Sequence, residues 1–406
     1  MTPIIAATIV AGAAGYVVTW LVYRVIGPAP YALFAIFWAA LYLVVGALSG
    51  IQQEVTRATR PIEAGTRVRA SRTRNFAVIA AALVFAVTVA SAPIWVDAVF
   101  PDSGWALVWP LALGGAAYVL VAALSGSLYG VSQWRALALM ISVDGLVRLA
   151  LVGVVLLIAP NVVALAWAAA LPFPLAIMLL WPSIRRSFVG RSDIDVGYRR
   201  LTWNVARTIV AAVSTAVLVS AFPLLLGVTS PGADEALIGE LVFTLTLTRA
   251  PLVVSVMALQ SYFVVRFRER RQREARLLLA ILGILAAGGV VLAFAAWLLG
   301  PAVFGFVSGA PVTLDGSVIA LMVASSALVG ALCATGAAVL GRDGHFAYSA
   351  GWMAAAVVTV AVMMLPLDEL VLRVVLATVI APLAGLLLHV LWLASPAARP
   401  VGEVRQ

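Results

Sequence analysis

The sequence contains no lysine: all 26 basic residues are arginine, set against 17 acidic residues, so every positive charge is permanent and the formal net charge is +9. It contains one cysteine, Cys333, which excludes an intrachain disulfide and any site built from several thiolates. Placed in an apolar run, that thiol reads as a small buried hydrophobe. The two histidines, His345 and His389, have no ligand spacing around them, and no metal role is expected for either. No Walker loop, no H-E-x-x-H, no triad of serine-protease type and no glycosyltransferase-like acidic pair occurs in a polar segment long enough to hold it. ATP hydrolysis is thereby excluded, and covalent catalysis is not expected. Charge is scarce altogether, at 11% of 406 residues.

What fills the chain instead is apolar side chain: 64% of residues are hydrophobic and the mean hydropathy is +1.10. That is far more apolar surface than one water-soluble core can bury, so the solvent must be lipid. The apolar runs are roughly 20 residues long, the length a helix needs to cross about 30 Å of hydrocarbon, and helices satisfy their own backbone hydrogen bonds there. A membrane β-barrel is excluded by the same runs. The expected fold is therefore an all-α polytopic membrane protein of about twelve spans, near 4 to 25, 31 to 52, 76 to 98, 106 to 131, 135 to 158, 162 to 184, 204 to 227, 236 to 266, 275 to 299, 315 to 341, 346 to 365 and 370 to 394. Turn signals mark the cuts at Gly27-Pro28, Phe100-Pro101-Asp102, Pro160-Asn161, Ser230-Pro231-Gly232, Gly300-Pro301 and Gly341-Arg342-Asp343-Gly344. The first residues, Met1-Thr2-Pro3-Ile4, lack a basic region and a small-residue cleavage site, so they read as the start of a permanent helix.

Loop charge alternates, and the alternation sets orientation. Even-to-odd connections hold Arg57, Arg60, Arg67, Arg69, Arg72 and Arg74, then Arg185, Arg186, Arg191, Arg199 and Arg200, then Arg266, Arg268, Arg270, Arg271, Arg273 and Arg276. The positive-inside bias puts these in the cytoplasm, with both termini, as expected of a multi-pass protein of the cytoplasmic membrane. The opposite connections hold Asp97, Asp102, Asp234, Glu235, Asp315, Asp368 and Glu369, with Arg373 the main basic exception. The arginine runs read as anchors on anionic membrane lipids rather than as a nucleic-acid surface.

A weak internal repeat accompanies this topology. Ala92-Pro93-Ile94-Trp95-Val96, expected to end the third span, matches Gly300-Pro301-Ala302-Val303-Phe304, expected to end the ninth. Leu128-Tyr129-Gly130 with Trp134-Arg135-Ala136 parallels Val339-Leu340-Gly341 with His345-Phe346-Ala347. The offsets, about 208 and 211 residues, correspond to six spans and keep orientation, which implies a parallel repeat about an axis along the membrane normal. Two six-helix lobes follow, 1–184 and 204–395, joined by a cytoplasmic linker at 185–203 and followed by a tail at 396–406, with a cleft expected between the lobes.

The run Arg24-Val25-Ile26-Gly27-Pro28-Ala29-Pro30-Tyr31-Ala32-Leu33-Phe34 resembles the junction between the first two helices of polysaccharide flippases in the multidrug/oligosaccharidyl-lipid/polysaccharide (MOP) exporter superfamily. Gln53-Glu54-Val55-Thr56-Arg57, the stretch from Gly130 to Arg148, and Thr248-Arg249-Ala250-Pro251 with Leu259-Gln260 are similar to the actinobacterial form of that family. The resemblance implies alternating access and a cargo of polyprenyl-pyrophosphate-linked saccharide, its head group in a cationic cleft. It also implies that Arg24 lines the cleft, and it makes glycan polymerases or glycosyltransferases the natural partners.

Intramembrane charge is the remaining clue, because an Arg or Asp at helix-centre depth costs about 2.5–3.5 kcal/mol on insertion scales. Arg249 falls near mid-membrane in the eighth span with no acid at i±3 or i±4, and Pro251 is placed to kink that helix. Asp144 and Arg148 share a face of the fifth span at i, i+4, which fits either an internal salt bridge or a site where Asp144 takes a proton or Na⁺ and releases the guanidinium. Geometry alone makes Arg24 a snorkelling anchor. Glu240, Gln260 and Gln53 lie near span ends, Glu240 being a second coupling candidate. The expected site is thus Arg24, Arg148, Arg249 and Gln260 for substrate, with Asp144 and Glu240 for coupling. Arg24, Asp144, Arg148 and Arg249 sum to about +2, which matches an anionic pyrophosphate. No cofactor is expected. Two other readings stay open: a multidrug or small-metabolite exporter of the same fold, and a non-transporting scaffold for cell-envelope enzymes.

Overall fold

The structure, a computed structural model, describes residues 2–61, 72–101, 104–188, 192–194, 196–249, 263–264, 266–268 and 274–395. It divides into two compact units, Met1–Val228 and Thr229–Gln406. Gln260, Pro251 and the tail at 396–406 lie outside the described residues.

The first unit comprises α1 (Thr2–Ile26), α2 (Pro28–Ala58), α3 (Arg72–Val99), α4 (Gly104–Gly130), α5 (Trp134–Ile158), α6 (Val162–Ala170), α7 (Pro172–Phe188), α8 (Tyr198–Ser220) and α9 (Phe222–Thr229). The second comprises α10 (Glu235–Arg249), α11 (Glu274–Ser308), α12 (Gly316–Gly341), α13 (His345–Met363) and α14 (Leu370–Ala394). Counting α6 with the start of α7 as one span, ten helices among the described residues are long and apolar enough to cross a membrane. The expected seventh span runs as α8 and α9. Its first turns carry Arg199, Arg200, Asn204 and Arg207, which lower its hydropathy and make one side polar. The expected sixth and seventh spans each break in two, ahead of Pro172 and Pro223, because proline suits the first turn of a new helix. Pro301, which the expected ninth span stops short of, lies inside α11, and α11 continues to Ser308 rather than stopping near 299; Pro93 lies inside α3, as the expected span 76 to 98 has it. One missing N–H does not end a helix whose remaining backbone groups have no water to turn to.

Lipid tails are as apolar as leucine, so close packing rather than water exclusion selects the helix neighbours. In the first unit α2 is the hub, against α4 and α8, while α1 lies on α5 and α3 on α4. Gly50 shows why a small residue is needed: a Cβ there would stand 2.6 Å from the Ile209 backbone nitrogen of α8. Beside it Thr208 Oγ1 donates to the Gly50 carbonyl at 3.0 Å. One turn further on, Asn204 Nδ2 and the Arg57 guanidinium both donate to buried Glu54. Those bonds hold α8 in the first unit, which also includes α9 as far as Val228. The linker expected at 185–203 therefore lies inside a unit, and the observed division falls at Val228.

Two short strands, β1 (Thr59–Pro61) and β2 (Ser192–Ile194), pair antiparallel with Thr59 opposite Ile194. They were not expected in an all-α chain. Ile194 is 1% exposed and packs with Phe76, Val55 and Leu201, so the strand pair is tied to the core beneath it. In the second unit α12 is the hub, packed on α10, α11, α13 and α14. Its most apolar window is 61% buried against 11% for α11, the more exposed of the two helices.

Candidate functional site

Asp144 and Arg148 lie about 15 Å and 21 Å along α5 from its start, at 1.5 Å per residue, and so straddle the middle of a helix of bilayer length. Helical spacing puts both on one face, and the structure closes them into a bidentate pair: Arg148 Nη1 donates to Asp144 Oδ2 at 2.8 Å and Nη2 to Oδ1 at 2.9 Å. Nε donates to the Ala169 carbonyl of α6 at 3.2 Å. That carbonyl is available to a side chain because α6 ends at Ala170. The guanidinium carbon lies 4.9 Å from the Phe173 ring centre and 5.7 Å from that of Tyr42, so π faces supply part of the lost hydration. Trp38 stacks on Tyr42 at 4.9 Å, and Tyr118 meets Phe173 edge-on at 5.3 Å. Four helices, α2, α4, α5 and α7, thus build an aromatic collar around one ion pair.

The two partners are not equally accessible. The Arg148 side chain is 6% exposed and that of Asp144 is 23% exposed. A solute reaching this place meets the carboxylate edge, together with the half-buried rings of Trp38, Tyr42 and Tyr118. The pair is locally neutral, so the surplus of positive charge expected from sequence does not arise here. A phosphate could use Arg148 only by displacing Asp144.

The other candidates occupy separate environments. Arg24 is exposed at the end of α1, its guanidinium 5.9 Å from the Trp20 ring centre. Ala11 of α1 lies against Gly145 of α5, so Arg24 stands about 20 Å further along α1, a different depth from Arg148. Arg249, the last described residue of α10, is half-buried and belongs to the second unit. Glu240, one turn into α10, is 5% exposed and its carboxylate accepts from the Thr313 hydroxyl, from Thr313 N at 2.5 Å and from Leu314 N at 3.3 Å. It thereby anchors the segment leading into α12. Gln260 lies outside the described residues. Of the expected set, the structure brings together Asp144 and Arg148.

Sequence reasoning missed three polar groups. Glu54 is 3% exposed and joins α2 to α8, as described above. Glu274, 2% exposed, accepts from Arg342 Nε at 3.1 and 3.0 Å while Arg342 Nη1 donates to the Leu393 carbonyl at 2.9 Å, tying α11, α12 and α14 together. His389 is fully buried between α12 and α13. A hollow of about 920 Å³ opens along the start of α8, lined by Gly197, Arg199, Arg200, Thr202, Trp203 and Ala206. It shares no residue with the collar. Among the described residues no group of three or more His, Cys, Asp or Glu could hold a metal ion.

Comparison with known proteins places these features in context. No protein-family model matches the chain. The uncharacterized protein Rv1510 of Mycobacterium tuberculosis is 33% identical over 393 residues, covering 96% of this chain and 90% of that protein. The uncharacterized protein Mb3654 of Mycobacterium bovis is 30% identical over 396 residues, with the same coverage of 96% and 90%. Among solved structures, the lipid II flippase MurJ in an inward closed conformation superposes with a TM-score of 0.70 at 13% identity, covering 96% of this chain and 87% of that one. An inward-facing multidrug resistance MATE family transporter of the MOP superfamily gives 0.67 at 14% identity, covering 93% of each chain. The fold is like that of these MATE and MurJ structures, a polytopic helical membrane protein.

Proposed function

We propose that this chain, which belongs to one family with the mycobacterial proteins Rv1510 and Mb3654, is a secondary transporter that flips a lipid-linked saccharide across the cytoplasmic membrane by alternating access. The observation that carries the reading is the Asp144–Arg148 pair at mid-bilayer depth inside an aromatic collar. A packing role alone would favour apolar side chains of the same volume, since buried ion pairs rarely add stability over them. Partly exposed aromatic faces beside a carboxylate suit a sugar, whose C–H faces stack on rings and whose hydroxyls donate to carboxylate oxygens. The MOP fold, shared with a lipid II flippase, and the flippase-like junction at Arg24 to Phe34 support the same cargo class.

Coupling follows from the pair's chemistry. Protonation of Asp144, the more exposed partner, would weaken both charge-assisted bonds and free Arg148 to seek another anion, such as a pyrophosphate entering the site. Arg24 and Arg249, in other environments, would then serve the head group at other stages of the cycle.

A second reading, an exporter of small amphipathic cations, draws on the exposure of Asp144 rather than Arg148. Depleting the protein in its host and analysing the polyprenyl-linked sugars separates the two. The flippase reading expects lipid-linked precursor to accumulate on depletion. An unchanged pool, together with raised sensitivity to cationic dyes, would favour the exporter.

A further inference from the structure

His389 is 0% exposed, and its ring is enclosed by three helices. Its Nε2 lies 3.2 Å from the Tyr348 carbonyl of α13 and its Nδ1 lies 3.1 Å from Thr335 Oγ1 of α12. A carbonyl can only accept, so Nε2 carries a hydrogen and Nδ1 of the neutral ring accepts from the Thr335 hydroxyl. The Tyr348 ring lies parallel to the imidazole, with centroids 6.3 Å apart and planes 8° apart. Gly351 makes the space: a Cβ there would stand 2.2 Å from His389 Nε2.

Both protonation states of the ring find hydrogen-bond partners here. Thr335 Oγ1 also lies 3.0 Å from the Ala331 carbonyl and 3.1 Å from that of Leu332. If Nδ1 gains a proton, it donates to Thr335 Oγ1, whose hydroxyl hydrogen turns to the Ala331 carbonyl. Uptake therefore needs one hydroxyl rotation and leaves no polar atom orphaned. Among the described residues no carboxylate is paired with the ring. The ionisable groups on the surrounding helices are Cys333 on α12, His345 and Tyr348 on α13, and Arg373 on α14, about 24 Å along the helix. At the helix ends nearer His389, Arg342 pairs with Glu274 and Arg268 with Asp343, while Asp315, Asp368 and Glu369 stand at the opposite ends of α12 and α14. Glu240, on α10, is held by Thr313 and Leu314. A proton on His389 would put a charge into an apolar three-helix core, a cost that a change in the packing of α12, α13 and α14 admitting water to the ring would lower.

We propose that His389 is a proton-binding site of the second unit, through which protonation changes the packing of α12 to α14 and couples transport to the proton gradient. The coupling half of this statement rests on the transporter reading above. Neither Asp144 nor Glu240 is needed for it.

The test uses the full-length protein in lipid nanodiscs. The exposed His345 is replaced by His345→Gln, leaving one imidazole for nitrogen-15 histidine NMR between about pH 8 and pH 5. The expected result is a reversible change from the neutral to the cationic ring pattern. The native Cys333, 1% exposed and two residues from Thr335, reports the packing of α12. Its maleimide labelling rate at acid relative to neutral pH should be about tenfold higher in the protein with His389 than in His389→Gln, a comparison that cancels the thiol's own pH dependence. His389→Asn serves as the second variant if the first does not fold. A ring that keeps its neutral pattern until the protein unfolds overturns the proposal, as does an identical labelling ratio with and without His389. In proteoliposomes loaded with a lipid-linked saccharide, a pH gradient should speed flipping more in the parent than in His389→Gln, in which Asp144 alone remains to take up a proton. A titrating, packing-linked ring without any flipping would sink the flippase reading and leave the proton site standing; flipping indifferent to the gradient in both would do the reverse.

Discussion

Arg148 stays charged near the bilayer centre because two carboxylate oxygens, a carbonyl freed at the end of α6 and two aromatic faces stand where water would be. Removing one partner leaves the other buried and unmatched. Asp144→Asn should therefore lower unfolding stability by about 3–5 kcal/mol, whereas Asp144→Leu with Arg148→Met should return close to the parent value. Thermal unfolding in a single detergent checks both. Transport should be lost in the single and the double variant alike, and a double variant that is both stable and fully active would reduce the pair to packing. Glu240 behaves differently, since its partners are the hydroxyl and backbone of one short segment. Glu240→Ala should cost about 1–3 kcal/mol and leave the pH dependence of flipping unchanged, which rate measurements across pH would check.

At the scale of the helix, the limits of the sequence reading have physical causes. Spans such as 135 to 158 and 370 to 394 were legible to within a residue because an apolar run between turn residues has few alternatives in lipid. The spacing of Asp144 and Arg148 was legible too, since i, i+4 is a local relation. Helix continuation through Pro301 was not, because a proline in the last turns of a membrane helix ends nothing by itself. Nor was the collar around Arg148, as Tyr42 and Phe173 come from distant spans. His389 was passed over for the same reason: Thr335 and Tyr348 are 54 and 41 residues away in the chain. The close fit at Gly351 makes a direct test of that enclosure. Gly351→Ala should destabilise by about 1–3 kcal/mol, through contact with the imidazole. In His389→Ala the same change should cost much less, a coupling that a double-mutant cycle of unfolding free energies would measure.

For the molecule as a whole, the arginine-rich connections predict an orientation: the ends bearing Arg57, Arg185 and Arg268 on the cytoplasmic side, and both termini with them. Carboxy-terminal fusions to a green fluorescent reporter should fluoresce and fusions to alkaline phosphatase should stay inactive, with the opposite result for fusions cut after Asp234. The fold, an ion pair at mid-depth and aromatic faces around a carboxylate are the features on which the proposed carriage of an amphipathic saccharide rests. The most direct measurement is the rate at which purified protein, reconstituted in liposomes, brings an inner-leaflet lipid-linked saccharide within reach of an impermeant oxidant outside. The parent protein should raise that rate well above protein-free liposomes, and folded Asp144→Asn should lower it by at least about tenfold, on the order of 1.4 kcal/mol in the barrier. A folded parent protein that leaves the rate at the protein-free level would contradict the account.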